Sequence, residues 1–278
     1  MVSAQEQQPS FTVQPNPEYL GFEKVEVTEV DDSKPWKPAL KVRVTKEDGS
    51  VVEDLDASTP FFTFKDAEGD EMTVSAEAAG HIDSLHIRGE DPGSKFDYGS
   101  LDALFSDAAA KIPKEAAKEG GPYAFSVDMG KSMGKEGIAS MKELLESGVI
   151  EQSDIDAARA EKDTVFDLNR EGDATAKDAF IAKFRAEHPD SKVQFQLVRG
   201  TVLVPTVETP KRDTTELFMV FGPGADTRKT LYTAAPGRNM PRHPNPAQHT
   251  DAEGKLNEAT FNESAEAWFN TVMLTGGE

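Results

Sequence analysis

Strand-type and helix-type segments are segregated along this chain, and their order limits the folds open to it. Short alternating runs occupy residues 20–90, where Asp48-Gly49 and Glu68-Gly69 are hairpin signals. Helical spacing dominates the middle of the chain, and strand-type runs return from residue 191. Because the two types do not alternate one by one, a doubly wound sheet is disfavoured. The sequence predicts an α+β fold with an N-terminal antiparallel β meander, a central helical segment, and a C-terminal antiparallel sheet with a closing helix.

The same order divides the chain into four parts. Residues 1–18, rich in Gln, Pro and Ser, predict a flexible tail; 19–97 predict a β-rich region. Residues 98–190 predict a helical region, and 191–278 a sheet with a C-terminal helix that can form one domain with 98–190. One apolar stripe at helical spacing ends before Pro113 and consists of Leu101, Leu104, Phe105, Ala108 and Ile112. The run HIDSLHIRG, residues 81–89, is predicted as a strand.

Composition excludes several classes of site. The 278 residues carry a formal net charge of −20 and include no cysteine, so disulfides, thiolate metal sites and cysteine nucleophiles are ruled out. The acidic balance repels nucleic acid and anionic membrane surfaces at long range. The N-terminus lacks the features of a secretory signal, and no apolar run approaches the roughly 20 residues that span a bilayer. These features predict a soluble, cytoplasmic protein with no membrane contact.

Residues 191–250 reverse the charge of the rest of the chain. Four acidic residues stand there against eight basic ones, which are Lys192, Arg199, Lys211, Arg212, Arg228, Lys229, Arg238 and Arg242. A proline-rich loop in this segment combines arginines with His243 and His249. We therefore expect an anion site here, with Arg238, Arg242, Thr215 and Tyr232 as ligand-binding residues.

Three functions remain open at this point. The first is a binding protein that holds an anionic ligand or macromolecular partner on residues 191–250, the one segment through which nucleic acid could bind. The second is a metal-independent, ribonuclease-like hydrolase in which His243 or His249 is the general acid or base. Arg199, Arg238 or Arg242 then holds the developing negative charge. The third is an acidic surface that binds a basic partner. No cofactor is predicted, and the sequence does not decide whether the protein is an enzyme.

Two patterns suggest metal ligands but favour simpler interpretations. Asp66, Glu68, Asp70 and Glu77 occupy positions 1, 3, 5 and 12 of a calcium loop, but position 6 is Glu71 instead of glycine, and the flanks predict strands. His81 and His86 are five residues apart, which places them on opposite faces of the predicted strand. The sequence favours a solvated hairpin tip and ordinary histidines, so no metal site is predicted.

Overall fold

The structure is a computed structural model that describes residues 11–33, 38–89, 94–118, 120–160, 171–198, 202–223, 229–239, 249–251 and 254–276. The chain forms two compact units, and each is built from two separate stretches. The first unit contains 1–136 and 213–239, and the second contains 137–212 and 240–278. The predicted α+β class is confirmed.

The elements are numbered in chain order. The strands are β1 (Thr12–Pro15), β2 (Phe22–Val30), β3 (Ala39–Lys46), β4 (Val51–Asp56), β5 (Pro60–Lys65), β6 (Glu71–Ser75), β7 (Lys95–Phe96), β8 (Tyr123–Asp128), β9 (Gly134–Glu136), β10 (Ile138–Ser140), β11 (Val193–Val198), β12 (Val202–Glu208), β13 (Arg212–Thr214), β14 (Glu216–Pro223), β15 (Lys229–Pro236) and β16 (Thr271–Thr275). The helices are α1 (Ala76–Ile82), α2 (Leu101–Ala108), α3 (Glu115–Lys118), α4 (Met141–Glu146), α5 (Gln152–Ala160), α6 (Asp173–Glu187) and α7 (Glu258–Phe269), with a π-helix at Asp83–Ile87 and a 3₁₀ turn at Ala109–Lys111.

A six-stranded sheet organises the first unit, in the order β1-β5-β6-β15-β14-β8. Its central pair, β6 and β15, is parallel, and the neighbouring pairs are antiparallel. A separate antiparallel sheet, β2-β3-β4, contains the first predicted hairpin, and a small sheet has the order β13-β9-β7. Both hairpin signals are confirmed, because Gly49 and Gly69 turn β3 into β4 and β5 into β6 with φ values of +80° and +91°.

The run HIDSLHIRG is helical, contrary to the predicted strand. Ser75 accepts a hydrogen bond from the Ala78 N–H and begins α1, and the π-helix follows without a break. Gly80 lets α1 approach β2, since a Cβ at this position would lie 2.4 Å from the Val25 Cβ. A short apolar run fits a strand or a buried helix by periodicity alone, and the packing of α1 on β2 decides between them.

The predicted flexible tail, 1–18, includes a strand in its described part. Phe11 is buried, and β1 pairs with β5 from Thr12 opposite Lys65 to Pro15 opposite Phe62. Residues 1–10 of this prediction lie outside the described residues. The pairing supplies backbone hydrogen bonds to the edge of β5, a gain that the composition of the segment does not reveal.

The predicted apolar stripe of α2 forms part of the first core. All five of its residues are buried, and Ile112 follows the 3₁₀ turn that ends the helix. The Phe105 ring lies edge-on to the rings of Phe62 and Phe64, with centroid distances of 5.0 and 5.5 Å. The helix is thereby fixed on one face of the six-stranded sheet.

The second unit joins a four-stranded sheet, in the order β10-β16-β12-β11, to helices α4, α5, α6 and α7. Strand β16 is antiparallel to β10 and parallel to β12, so the sheet is mixed. Ser140 and Glu143 form a capping box that begins α4. The closing helix α7 is confirmed, and it is followed by β16. None of the helices in the described ranges combines the length and the apolar character needed to cross a bilayer.

Replacing Phe105 with alanine tests the packing of α2. We expect Phe105→Ala to lower the free energy of unfolding by about 3–5 kcal/mol, because it removes a fully buried ring and leaves a cavity. Urea unfolding followed by circular dichroism measures the change. The control is Ser106→Ala, an exposed position on the same helix, where a change within about 0.5 kcal/mol is expected. Equal effects of the two substitutions would contradict the packing described.

Candidate functional site

Arg238, a predicted ligand-binding residue, forms an ion pair within the first unit. Its Nη2 donates to the Glu136 Oε1 at 3.1 Å, and its backbone N–H donates to Oε2 at 3.3 Å. The Glu136 side chain is only 8% exposed. Gly237 permits this approach, because its φ is +106° and a Cβ there would lie 2.5 Å from the Glu136 Cβ. The positive charge of Arg238 therefore compensates a nearly buried carboxylate.

Thr215 and Tyr232 also bond within the first unit. The Thr215 carbonyl accepts the Met129 N–H at 2.9 Å. The pKa of Asp128 is lowered because its carboxylate accepts hydrogen bonds from the Gly130 N–H and the Thr215 hydroxyl. The Tyr232 ring covers Gly222, and its hydroxyl donates to the Pro223 carbonyl at 2.9 Å. Both side chains stabilise the local strand geometry.

His249 belongs to the second unit, where its ring contacts the start of α7. The distance from Nδ1 to the Thr260 Oγ1 is 3.1 Å, and the ring lies edge-on to Phe261 at a centroid distance of 5.8 Å. The other predicted catalytic residues, Arg199 and His243, lie outside the described residues, as does the predicted ligand-binding residue Arg242. The catalytic and anion-binding interpretations of residues 191–250 therefore stay predictions.

Two further basic residues of this segment bond to their own chain. The Arg212 Nη2 donates to the Ile138 carbonyl at 2.8 Å and lies 3.4 Å from the Glu143 carboxylate. Lys229 is buried and donates to the Gly121 carbonyl. Like Arg238, these side chains bond to groups of the chain itself. The excess of positive charge in residues 191–250 is therefore not by itself evidence of an anion-binding surface.

Residues 130–134, GKSMG, match the G-x-S-x-G spacing of nucleophile elbows. That motif requires a strand, a sharp turn and then a helix, but here β8 leads into β9. The Ser132 hydroxyl donates to the Asp97 carboxylate at 2.5 Å, and within the described residues no histidine bonds to it. A serine hydrolase site is not supported at Ser132, since no general base activates the hydroxyl.

The second unit has two open hollows with volumes of about 420 and 360 Å³. Lys192 and Glu208, of opposite charge, line the first. Asp154 lines the second, but its carboxylate already accepts hydrogen bonds from the Ser191 hydroxyl at 2.6 Å and the Lys192 N–H at 2.9 Å. The second hollow has an excess of negative charge, with Glu151, Asp154, Glu187 and Asp190 against Lys192, but among the described residues no Phe, Tyr or Trp ring lines either hollow, so neither is the strongest candidate.

The first unit contains a smaller hollow of about 160 Å³ with aromatic walls. We call it the aromatic hollow; it is lined by Tyr19, Leu20, Gly21, Phe22, Glu47, Phe61, Phe62, Asp83, Arg88, Gly99, Ser100, Leu101 and Asp102. The rings of Tyr19 and Phe61 stack with a centroid distance of 4.7 Å, and Phe22 lies edge-on to Phe61 at 5.3 Å. The turn that carries Tyr19 is fixed by Asn16, whose side-chain amide donates to the Pro60 carbonyl at 3.1 Å.

The π-helix places an ion pair at this hollow, between the buried Asp83 carboxylate and the exposed Arg88 side chain. The Arg88 N–H donates to the Asp83 carbonyl at 2.8 Å, which closes the wide turn, and the Arg88 Nε lies 2.8 Å from the Asp83 Oδ2. Burial raises the pKa of the Asp83 carboxyl, while the hydrogen bond and charge of Arg88 oppose the rise. Short π-helical segments and carboxylates with shifted pKa values are both concentrated at functional sites.

The charges around the aromatic hollow favour a cation. Glu47, Asp83 and Asp102 contribute three carboxylates to the lining, against the single guanidinium of Arg88. Cations already lie over two of the rings, since the Lys46 Nζ is 5.9 Å from the Tyr19 centroid and the Arg88 Cζ is 5.8 Å from the Phe22 centroid. Aromatic faces and carboxylates both attract positive charge, so the arrangement is suited to an ammonium or guanidinium group.

Sequence reasoning missed every residue of the aromatic hollow. Tyr19 falls next to the predicted tail, and Asp83 and Arg88 fall in the run predicted as a strand. The five-residue spacing of Asp83 and Arg88 would have been a signal only for a π-helical turn, which is too rare to predict from sequence.

His81 and His86 are on the same helical stretch, with a ring-centroid distance of 6.2 Å, and the His86 Nδ1 lies 2.8 Å from the Ser94 carbonyl oxygen.

Comparisons of the chain with protein-family models, with curated proteins and with solved structures find no match. A functional proposal for this protein therefore depends on the geometry of its own residues.

Replacing Arg238 tests whether this residue has a structural role. We expect Arg238→Met to lower the free energy of unfolding by about 1–3 kcal/mol, because the nearly buried Glu136 carboxylate loses its charged partner. The double variant Glu136→Gln/Arg238→Met should be less destabilised than the sum of the two single variants, as a double-mutant cycle by urea unfolding measures. An Arg238→Met variant as stable as the unsubstituted protein would show that the ion pair contributes nothing.

Proposed function

We propose that this protein is an interaction protein that binds a basic partner and seats one lysine or arginine side chain of that partner in the aromatic hollow. The observation that carries the proposal is the convergence of stacked rings with the carboxylates of Glu47, Asp83 and Asp102 around one small concavity. Cation–π attraction and charge attraction act together at such a place.

Size and charge support this choice of partner. A hollow of about 160 Å³ is smaller than the roughly 300–1,000 Å³ of typical small-molecule sites, and it has room for a single side chain. The net charge of −20 attracts a basic protein at long range and speeds its encounter. The aliphatic part of a lysine or arginine would pack against Phe22 and Phe61 while its charged end faces the carboxylates.

The proposed function is binding, as in the first function left open by the sequence, but the partner is basic, as in the third. An anionic partner on residues 191–250 receives less support, because Arg212, Lys229 and Arg238 bond to the chain itself. The hydrolase interpretation requires His243 or His249 next to Arg199; because Arg199 and His243 lie outside the described residues, it stays a prediction.

A basic peptide tests the proposal directly. We expect a fluorescein-labelled decalysine peptide to bind with an affinity that falls as salt is added, and a labelled RNA oligonucleotide of equal length to bind far more weakly. The variant Glu47→Gln/Asp102→Asn should weaken peptide binding roughly tenfold, because it removes two carboxylates from the hollow. Fluorescence anisotropy measures both affinities.

The matched control is Glu53→Gln/Glu115→Gln, which removes two exposed carboxylates of the same unit away from the hollow. Its affinity for the peptide should change much less. Equal losses in the two variants would mean that overall acidity, and not the hollow, attracts the peptide. Tighter binding of the RNA than of the peptide would restore the anion-binding interpretation of residues 191–250.

A further inference from the structure

The tip of the β5–β6 hairpin gathers three carboxylates. One oxygen from each of Asp66, Glu68 and Asp70 lies within 4.8 Å of the others. The Asp66 Oδ1 accepts the N–H groups of Glu68 at 2.9 Å and Asp70 at 2.8 Å, so backbone hydrogen bonds hold the turn in place. Glu77, at position 12 of the calcium-loop pattern, lies instead in the first turn of α1. Only the first three acidic residues of the calcium-loop pattern therefore come together at the tip of the hairpin.

A second feature indicates that this cluster can take a ligand. The Asp66 residue is only 7% exposed, and its Oδ2 is buried with no hydrogen-bond partner among the described residues. A buried carboxylate oxygen without a partner costs free energy, and a water molecule or a cation bound to it removes that cost. Because Oδ1 already accepts two N–H groups, Oδ2 is the oxygen that remains for a cation.

Two lysines show that the cluster attracts positive charge. Lys114 and Lys118 of the α3 region contact the two carboxylate oxygens of Glu68 at 2.9 and 2.8 Å, and Lys118 lies 3.8 Å from Asp70. These hydrogen bonds lower the pKa of Glu68 to about 2, first through Lys118 and then through Lys114. Both lysine side chains are about half exposed, at 47% and 50%, so they can turn toward solvent. Three carboxylates against two ammonium groups leave a negative balance.

We propose that Asp66, Glu68 and Asp70 form a binding site for a calcium ion, with Lys114 and Lys118 moving away from Glu68 as the ion binds. Calcium–oxygen distances of about 2.3–2.6 Å allow two ligand oxygens to be as far apart as those of this cluster. Magnesium demands near-ideal octahedral geometry at about 2.0–2.1 Å, whereas calcium tolerates the irregular geometry of three carboxylates on one turn. Calcium also accepts water molecules in its remaining positions.

Calorimetric titration of the full chain with calcium chloride tests the site. Three protein carboxylates predict a Kd of about 0.1–1 mM, and magnesium should bind at least about tenfold more weakly. Asp70→Asn should weaken calcium binding about tenfold, and Asp66→Asn should do the same while its side-chain oxygen can still accept the two N–H groups. Lys118→Met should tighten binding several-fold, because it removes a competing cation.

Glu53→Gln is the matched control, since it removes a carboxylate that is also paired with a basic side chain in the same unit, at Arg43. It should bind calcium as the unsubstituted protein does, and circular dichroism confirms that each variant is folded. The absence of saturable binding up to about 10 mM calcium would overturn the proposal. So would calcium binding that survives both Asp66→Asn and Asp70→Asn. These substitutions leave the aromatic hollow intact, so the outcome is independent of the test with the basic peptide.

Discussion

The parallel pairing of β6 and β15 is the interaction on which the first unit depends. It brings residues 229–236 into a sheet whose other half is formed by β1, β5 and β6. Leu231 and Ala234 of β15 enter the same core as Phe64 and Phe105. After β15 the chain continues to Gly237, which lies close to Glu136, and to Arg238, which forms an ion pair with Glu136. This long-range pairing thus places Lys229 and Arg238, two of the basic residues of the segment 191–250, within the first unit.

The fold pairs several basic side chains of this segment with groups of the chain itself. Lys229 and Arg238 lie against a carbonyl and a carboxylate of the first unit, and Arg212 lies against Glu143 in the second. A nearly buried carboxylate needs a charged partner, so these side chains stabilise the fold before they can serve a ligand. In the part of the chain that the structure describes, three carboxylates at the β5–β6 tip face Lys114 and Lys118, and Glu47 and Asp102 add negative charge beside the Asp83–Arg88 pair at the aromatic hollow. This local excess of negative charge is why we propose positively charged ligands for the first unit.

Elements that are specified by a few neighbouring residues form where the sequence predicts them. The five-residue stripe of α2 follows from its spacing, and the turns at Gly49 and Gly69 each follow from one permissive residue. The strand β1 and the helical course of residues 81–87 do not, since each depends on a partner distant in sequence: β5 for the first, and Val25 of β2 for the second. The aromatic hollow is lined by Asp83 of the π-helix and by rings that come together only in the folded chain, which is why sequence reasoning could not find it.

The sequence by itself determined the α+β class, the hairpins, the apolar faces of the helices and the excess of negative charge, because periodicity, turn residues and composition act over a few neighbouring positions. Only the tertiary structure decided that β6 and β15 pair, that Arg238 neutralises Glu136, that Tyr19, Phe61 and Asp83 share one concavity, and that Asp66 is buried at a hairpin tip. The physical reason is that burial and charge compensation are properties of the packed chain. The type of a residue determines which partners its side chain can bind. The residues around it in the fold determine which of those partners it contacts.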